Sequence, residues 1–309
     1  MWHGDRSLEL EELPDPVPGP GEVVLDVALA GICGSDLHGY RGHPGPRVPP
    51  LVLGHEAVGR LGEGQYAVYP LVGCGACDRC RAGDDNLCDT WRLVGMHRAG
   101  VFAERVAVPE RSLVPLPDGL PAERVVLAEP LACCIGALPA EAGPGARLLV
   151  LGCGPIGLLT VFLGARAGAE VTAVDPLPER RALAERLGAA RAVASAPATA
   201  SFDAAVDAAG FETTWRSAAD SVRSGGSIVV VGLGQAEGPL PMATIVRRAL
   251  RVRGQFAYSR SQFAEAVDVL ARGDLDLSWV EELPLERGAE AFAALVDEPA
   301  AHAKVLLRP

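Results

Sequence analysis

Positive charge is scarce in this sequence, and long hydrophobic runs are absent. The 309 residues include 28 Lys and Arg against 39 Asp and Glu, for a formal net charge of −11. Such an acidic chain repels phosphate backbones and anionic bilayers, so we expect neither nucleic acid nor a membrane as partner. The apolar run Leu148–Leu151 stops at Gly152, long before bilayer length. The start, Met1–Arg6, lacks the apolar segment of a secretion signal, and we expect a soluble cytoplasmic protein.

Internal repeats and low-complexity tracts are not evident either. Hydrophobic residues make up 49% of the chain and charged residues 22%, an ordinary globular composition that argues against disorder. The length is about twice that of a usual single domain. We therefore expect two domains or one large α/β unit.

The pattern of predicted secondary structure changes near residue 140. Before it, Pro and Gly alternate with short β-type runs such as Glu22–Leu29, which predicts an irregular β-rich domain. After it, strands alternate with helices, the signature of a parallel, doubly wound sheet. The predicted strands are Arg147–Leu151, Glu170–Asp175, Phe202–Asp207, Ser227–Gly232 and Leu250–Phe256, and the predicted helices are Pro155–Ala167, Pro178–Leu187, Thr213–Val222 and Ser261–Ala271.

The end of the chain again resembles the first domain. Strands are expected at Val280–Leu283 and Lys304–Leu307, around a helix at Gly288–Asp297. The predicted domains are thus 1–128 with 274–309, and 129–273.

A glycine-rich turn with the spacing G-x-G-x-x-G follows the strand that ends at Leu151. Its residues are Gly152, Cys153, Gly154, Pro155, Ile156 and Gly157. Between a strand and a helix, this spacing favours binding of a dinucleotide pyrophosphate at the helix N-terminus, although alone it also fits a flexible loop. Asp175 ends the next strand, where a carboxylate binds the adenosine ribose and repels a 2′-phosphate, which favours NAD. Arg180 and Arg181 leave NADP as the alternative.

Four cysteines lie within fifteen residues of one another. They are Cys74, Cys77, Cys80 and Cys88, with glycines between them. Four thiolates can enclose one tetrahedral zinc ion and leave no position for a substrate, so the spacing predicts a structural zinc site. Two disulfides, the alternative, would need an oxidising compartment.

A second group combines sulfur, nitrogen and oxygen donors. Cys33 lies in a Gly-rich segment, and His55 and Glu56 follow Gly54. Taken singly, Cys33 and His55 fit core residues. Together, mixed ligands that leave one position for water or an alcohol oxygen are typical of catalytic zinc.

At these motifs the chain resembles the zinc-dependent medium-chain alcohol and polyol dehydrogenases, with the sorbitol, galactitol-phosphate and threonine dehydrogenase branch nearest. The motifs that carry the resemblance are Pro16-x-Pro18-Gly19-Pro20-Gly21-Glu22, Gly54-His55-Glu56, the four-cysteine loop, the glycine-rich turn and Lys304-Val305-Leu306. The resemblance implies a GroES-like catalytic domain, a Rossmann domain, two zinc ions per chain and NAD. It also leads us to expect a homo-oligomer, a dimer or a tetramer.

The resemblance implies roles for single residues around the catalytic zinc. Cys33 and His55 match zinc ligands, and Glu56 matches either a ligand or a residue just beyond the ligands. Glu129 matches the acidic residue of the polyol and threonine branch, whereas the alcohol branch has a cysteine where this chain has Cys133. We favour Glu129, although its charge would also suit the start of a helix at Pro130.

The resemblance further implies a proton relay through Ser35 and His38, although His38 also fits a surface histidine. Gly232 and Leu233 are expected to face the nicotinamide ring.

These observations predict an NAD- and zinc-dependent dehydrogenase of a secondary alcohol, such as a polyol, sugar alcohol or cyclitol. A substrate like that of threonine 3-dehydrogenases is one alternative, and a non-catalytic zinc- and dinucleotide-binding relative is another. The sequence Phe256-Ala257-Tyr258 departs from the sorbitol-type pattern Phe-Arg-Tyr, so an arginine that contacts polyols is missing.

Overall fold

Short strands prevail at the start and end of the chain, and longer helices occupy its second half. The computed structural model describes residues 1–43 and 45–309. The strands are β1 Trp2–Gly4, β2 Ser7–Leu8, β3 Glu22–Gly31, β4 Glu56–Leu61, β5 Gly64–Val68, β6 Leu71–Val72, β7 Arg92–Leu93, β8 Arg105–Pro109, β9 Leu113–Pro115, β10 Arg147–Leu151, β11 Glu170–Val174, β12 Arg191–Val193, β13 Phe202–Asp207, β14 Val222–Val230, β15 Arg251–Gly254, β16 Val280–Pro284 and β17 Lys304–Arg308. The helices are α1 Gly34–Tyr40, α2 Asp78–Ala82, α3 Ala122–Val125, α4 Ala128–Ala137, α5 Pro155–Arg166, α6 Pro178–Arg186, α7 Glu212–Ser221, α8 Met242–Arg247, α9 Arg260–Ala271 and α10 Gly288–Asp297.

The chain divides into two compact units. The first contains Met1–Glu129 and Ser259–Pro309, and the second contains Pro130–Tyr258. Helix α9 therefore belongs to the first unit, although the sequence suggested the second. The reason is local packing, because the buried ring of Phe263 meets the ring of Tyr69 edge-on at a centroid distance of 5.5 Å.

A seven-stranded sheet organises the first unit. Its order is β16-β17-β3-β4-β5-β9, and β8 also pairs with β3. Only β16 and β17 are parallel, and the other pairs are antiparallel. Along β3, Leu25 and Val27 are buried and Asp26 between them is exposed, the alternation of a strand with one face on a core. This sheet brings the C-terminal strand β17 beside β3.

A six-stranded parallel sheet organises the second unit. Its order is β12-β11-β10-β13-β14-β15. Leu148–Leu151 of the central strand β10 is buried throughout, as expected for a strand covered on both faces. The strand order reverses direction between β10 and β13, which is where doubly wound folds bind ligands. The predicted α/β class, a β-rich domain plus a doubly wound parallel sheet, is confirmed.

The sequence pattern did not predict two short elements, β12 and α8, or the first residues of strand β14. Strand β12 is only three residues long, and helix α8 follows a loop with no clear cap. Strand β14 begins at Val222 rather than Ser227, with a register irregularity against β13. The intervening Gly225 and Gly226 are poor strand formers and mask this start. The helices of the described residues are too short or too polar to span a bilayer.

Candidate functional site

The glycine-rich turn joins β10 to α5 in the second unit. Gly152 has φ of +86°, a conformation that favours glycine, and a Cβ added to Gly157 would lie 1.8 Å from the Gly152 carbonyl oxygen. A Cβ added to Gly154 would meet nothing within 4 Å. Pro155 is the first residue of α5, and the Ile156 carbonyl accepts a hydrogen bond from Oγ1 of Thr160 at 2.8 Å. The turn thus leaves open space at a helix N-terminus, which suits a pyrophosphate.

Asp175 links the end of β11 to this turn. Its Oδ2 accepts a hydrogen bond from the Cys153 backbone N–H at 2.8 Å, and its Oδ1 accepts one from Leu177 at 2.9 Å. A carboxylate offers about four lone-pair sites, so capacity for a ribose hydroxyl remains. The Arg181 guanidinium donates to the Asp175 carbonyl at 2.9 Å, and Arg180 is buried in α6, where burial lowers its pKa.

Gly232 and Leu233 follow β14 in two different environments. A Cβ on Gly232 would lie 2.4 Å from the Ala209 carbonyl carbon, so the close approach of two loops requires glycine here. The Leu233 side chain is 75% exposed. Sequence reasoning missed Asp207, whose buried Oδ1 accepts hydrogen bonds from the amides of Ala209 and Gly210, each at 2.9 Å. Its position at the carboxyl end of a parallel strand was the available signal.

The four cysteines of the loop converge on one point. One sulfur from each of Cys74, Cys77, Cys80 and Cys88 lies within 4.8 Å of all the others. Zn–S bonds of about 2.3 Å in a tetrahedron separate sulfurs by about 3.8 Å, and the Cys74 and Cys80 sulfurs are 3.9 Å apart. The donors therefore fit zinc, and all eight cysteines of the chain are free of disulfides.

Backbone amides stabilise thiolates in this loop. Hydrogen bonds from the Cys74 amide and from Thr90 lower the pKa of Cys88 to about 6. The amides of Ala76 and Cys77 likewise lower the pKa of Cys74. Burial and the neighbouring cysteines instead raise the pKa of Cys80 to about 12. Because the thiolate is the form that binds metal, the hydrogen bonds prepare Cys74 and Cys88 for a cation.

A second group of donors assembles in the first unit. Ligand atoms of Cys33, His55, Glu56 and Glu129 all lie within 4.8 Å of one another. Cys33 precedes α1, His55 precedes β4, and Glu56 is the first residue of β4. Glu129 occupies the first turn of α4 and is buried. Cys133, the alternative, is not part of this group.

Asp36, which the sequence reasoning did not single out, lies behind two of these donors. It is fully buried, and its Oδ2 accepts a hydrogen bond from the Cys33 amide at 3.2 Å. Its Oδ1 lies 3.5 Å from Nδ1 of His55, an ion-pair distance without hydrogen-bond geometry. Burial would lower the pKa of His55, but the charges of Asp36 and Cys33 outweigh it and raise that pKa well above its usual value. The group attracts positive charge, as a metal site must.

Lys304 holds one side of Glu56. Its Nζ donates to Oε2 of Glu56 at 2.5 Å and to the Ile32 carbonyl at 2.8 Å, and both side chains are buried. The other oxygen of Glu56, Oε1, is buried and has no hydrogen-bond partner among the described residues. An orphaned carboxylate oxygen beside a thiolate and an imidazole fits a metal ion. The sequence placed Lys304 in a family motif but gave no signal of this contact.

The two relay residues, Ser35 and His38, both lie on α1. Oγ of Ser35 accepts a hydrogen bond from Nη2 of Arg47 at 3.4 Å. His38 is exposed on the helix, and partial burial with the charges of Arg41, His43 and Arg47 lowers its pKa. Within the described ranges no hydrogen bond joins Ser35 to His38, so the relay stays a prediction.

Two family models match most of the chain. One describes an alcohol dehydrogenase GroES-like domain and matches residues 19–118, and the other describes a zinc-binding dehydrogenase and matches residues 155–272. An L-threonine 3-dehydrogenase of Chelativorans sp. is 30% identical, with 94% of this chain and 93% of the relative covered. The L-galactonate-5-dehydrogenase of Escherichia coli is also 30% identical, over 93% and 92%.

The chain belongs to the zinc-dependent medium-chain alcohol dehydrogenase family. Solved structures agree with this assignment. A zinc-binding dehydrogenase of Sinorhizobium meliloti bound to NADP has a TM-score of 0.89 and 31% identity, over 99% of this chain and 97% of the other. An acetophenone reductase of Geotrichum candidum in complex with NAD has a TM-score of 0.90 and 26% identity, over 99% and 95%.

Family membership confirms the broad predictions from the sequence. The protein is a zinc-dependent alcohol dehydrogenase that acts on a small-molecule substrate, and zinc and NAD are its cofactors.

The Lys304 contact yields a prediction about stability. Lys304→Met should lower the free energy of unfolding by about 3–5 kcal/mol, because it leaves the buried Glu56 without its counter-charge. Arg308→Met on the same strand is the control, since its ion pair with Glu282 is exposed and should contribute about 1 kcal/mol or less. Urea unfolding of the two variants measures the difference. Equal losses would show that Glu56 does not depend on Lys304.

Proposed function

We propose that the protein oxidises a secondary alcohol of the polyol or sugar-acid class with NAD, in a reversible reaction. The observation that carries the proposal is the convergence of Cys33, His55, Glu56 and Glu129. Glu129 rather than Cys133 in this group is typical of the polyol and threonine branch. The galactonate dehydrogenase among the relatives supports the same substrate class.

In this proposal Cys33, His55 and Glu129 of the first unit would hold the catalytic zinc. Glu56 lies beside them with its free oxygen and is either a further ligand or a neighbour of the ligands. Zinc supplies a Lewis acid for the oxygen of the substrate. Asp36 holds the Cys33 backbone and faces His55, which limits how the imidazole can turn.

Two residues of α1, Ser35 and His38, would remove the hydroxyl proton of the substrate. Oγ of Ser35 accepts a hydrogen bond from Arg47 with one lone pair, so its other lone pair can take the hydroxyl proton of the substrate while its own proton is passed on. The lowered pKa of His38 keeps its imidazole neutral near neutral pH, so it can accept a proton and pass it to solvent. We infer that these two side chains act in that order.

In this proposal the second unit binds NAD at three points. The turn with Gly152, Gly154, Pro155, Ile156 and Gly157 holds the pyrophosphate at the start of α5. Asp175 accepts hydrogen bonds from the adenosine ribose, and the segment of Gly232 and Leu233 contacts the nicotinamide. Arg180 is the neighbouring charge that would serve a 2′-phosphate in an NADP enzyme.

An amino alcohol is the second candidate substrate. The threonine 3-dehydrogenase relative supports an amino alcohol. Glu129 favours an amino alcohol as much as a polyol, since oxidation of either substrate uses the same metal chemistry. Ala257, in place of the arginine of sorbitol-type enzymes, removes one contact that would favour polyols. A non-catalytic relative is disfavoured, because a binding protein has no chemical need for a buried mixed donor group.

We also propose that the chain forms homo-oligomers through the second unit. Strand β15 ends the six-stranded sheet, and its residues are exposed. Val246 and Met242 of the adjacent α8 are 71% and 56% exposed. An open strand edge beside apolar side chains invites pairing with a second copy. The four-thiolate loop, which needs a reducing environment, supports a cytoplasmic location.

A substrate and metal assay tests the proposed function. The purified enzyme should contain two zinc ions per chain and form NADH fastest with a polyol or sugar acid, compared with amino alcohols and simple secondary alcohols. Glu129→Ala should lower turnover by orders of magnitude, and Cys133→Ala should change it by only a few fold. Loss of exchangeable zinc in Cys133→Ala, with Glu129→Ala unaffected, would assign the site to the alcohol branch.

Cofactor choice gives a separate prediction. Asp175→Ala should weaken NAD binding by about 1–3 kcal/mol and narrow the preference over NADP, because a charged acceptor for the ribose is lost. Glu179→Ala, an exposed carboxylate in the first turn of α6, is the control. Fluorescence titration with NADH and NADPH measures both affinities. An equal loss for the two cofactors would mean that Asp175 acts only by bracing the glycine-rich turn.

Assembly is tested by molar mass. Light scattering should give a dimer or tetramer, and Val252→Lys, which adds charge to the edge strand β15, should shift it towards the monomer. A monomeric wild type, or a variant with unchanged mass, would contradict the proposed interface.

A further inference from the structure

Arg47 is a buried arginine in the segment between α1 and β4. Its residue exposure is 5%, and its Nη2 lies 3.4 Å from Oδ1 of Asp36 and 3.4 Å from Oγ of Ser35. Its Nε is buried and has no hydrogen-bond partner among residues 1–43 and 45–309. Burying a guanidinium costs several kcal/mol, roughly, unless charge contacts offset it. One guanidinium nitrogen makes both contacts, so the position of Arg47 is tied to Asp36 and Ser35.

The fold leaves room for this arginine. A Cβ added to Gly39 of α1 would lie 3.1 Å from Cδ of Arg47 and 3.5 Å from its Nε. A larger residue at position 39 would therefore push against the side chain. The helix that carries Ser35 and Asp36 thus also provides the surface on which Arg47 lies.

Asp36 connects Arg47 to the metal donors. The same oxygen, Oδ1, faces both Arg47 and Nδ1 of His55, and the other oxygen holds the Cys33 amide. A histidine that binds zinc is neutral, so its ring faces Asp36 without a positive charge. Arg47 then supplies the counter-charge that keeps a fully buried carboxylate beside two ligands.

We propose that Arg47 is a positioning residue of the catalytic zinc site. Its guanidinium fixes the Asp36 carboxylate against His55. It also donates a hydrogen bond to Oγ of Ser35, so the hydroxyl proton of Ser35 must point away from Arg47. Arg47 therefore couples the orientation of a metal ligand to the orientation of the first group in the proton relay. This inference rests on the proposed function, because it requires that Cys33 and His55 bind zinc.

The coupling has two measurable parts. Loss of the contact to Asp36 loosens the ring of His55, and partners of metal-binding histidines are typically worth about 10- to 100-fold in metal affinity. Loss of the contact to Ser35 leaves its hydroxyl proton undirected, which slows turnover without weakening substrate binding. A residue that only supported the fold would lower the free energy of unfolding but leave the Co²⁺ spectrum and the kcat of the folded protein unchanged.

The test compares Arg47→Met with Arg47→Lys and with Arg60→Met, an exposed arginine on β4. Each protein is purified with both metals, the open site is emptied by mild chelation, and Co²⁺ is titrated while its visible spectrum is recorded. Arg47→Met should bind Co²⁺ about 10- to 100-fold more weakly with an altered spectrum, and it should keep zinc in the four-cysteine loop. Arg47→Lys, which restores the charge, should recover part of the affinity, and Arg60→Met should match the wild type.

Steady-state kinetics complete the test. Zinc-saturated Arg47→Met should have a lower kcat at a nearly unchanged KM. Unchanged Co²⁺ affinity and spectrum in Arg47→Met, or equal losses from both metal sites, would overturn the role of Arg47. If Arg47→Met does not fold, Arg47→Lys decides, because wild-type affinity, spectrum and kcat in that variant would exclude a positional requirement. A wild type with metal only in the four-cysteine loop would instead refute the catalytic zinc proposal itself.

Discussion

Buried negative charge is the constraint on which the first unit depends. Cys33, Glu56, Glu129 and Asp36 bring acidic groups together in or beside one site. Such a group is stable only if cations lie next to it. Lys304 of the C-terminal strand forms an ion pair with Glu56, and Arg47 forms one with Asp36. The buried ion pair between Lys304 and Glu56 gives a physical reason for the last strand to lie in the first unit.

In the second unit, backbone amides hold the acidic side chains that follow or end strands of the sheet. Asp175 follows β11 and Asp207 ends β13, the two strands on either side of β10. Each carboxylate accepts hydrogen bonds from two amides of the loop that follows or faces it. Gly157 and Gly232 allow backbones to approach where a Cβ would clash. These hydrogen bonds and close backbone contacts fix the turns at the carboxyl ends of the strands. A dinucleotide site needs fixed turns at this edge of the sheet.

Local pattern explains what could be predicted from the sequence. Strand β13 and helix α10 have the expected bounds, and the cysteine loop and glycine-rich turn are contained in short segments. Lys304 and Arg47 could not be assigned roles, because each acts through a side-chain contact that no local pattern reveals, Lys304 with Glu56 and Arg47 with Asp36 of the preceding helix. The domain of helix α9 was misjudged for the same reason. Its periodicity predicts a helix, but its unit is determined by long-range contacts such as those of Phe263 with Tyr69 and of Arg260 with the Leu113 carbonyl.

The two groups of metal donors differ in how the chain builds them. The cysteine loop takes every donor from Cys74–Cys88, so a short segment with a few amide hydrogen bonds can assemble it. The second group joins Cys33, His55, Glu56 and Glu129, which come from separate segments of the first unit and meet only once that unit has folded. Its geometry therefore depends on the folded unit, and on buried partners such as Asp36 that hold the donors in place. A site built this way can keep a position open for substrate, because the surrounding fold, not a complete set of ligands, fixes its shape.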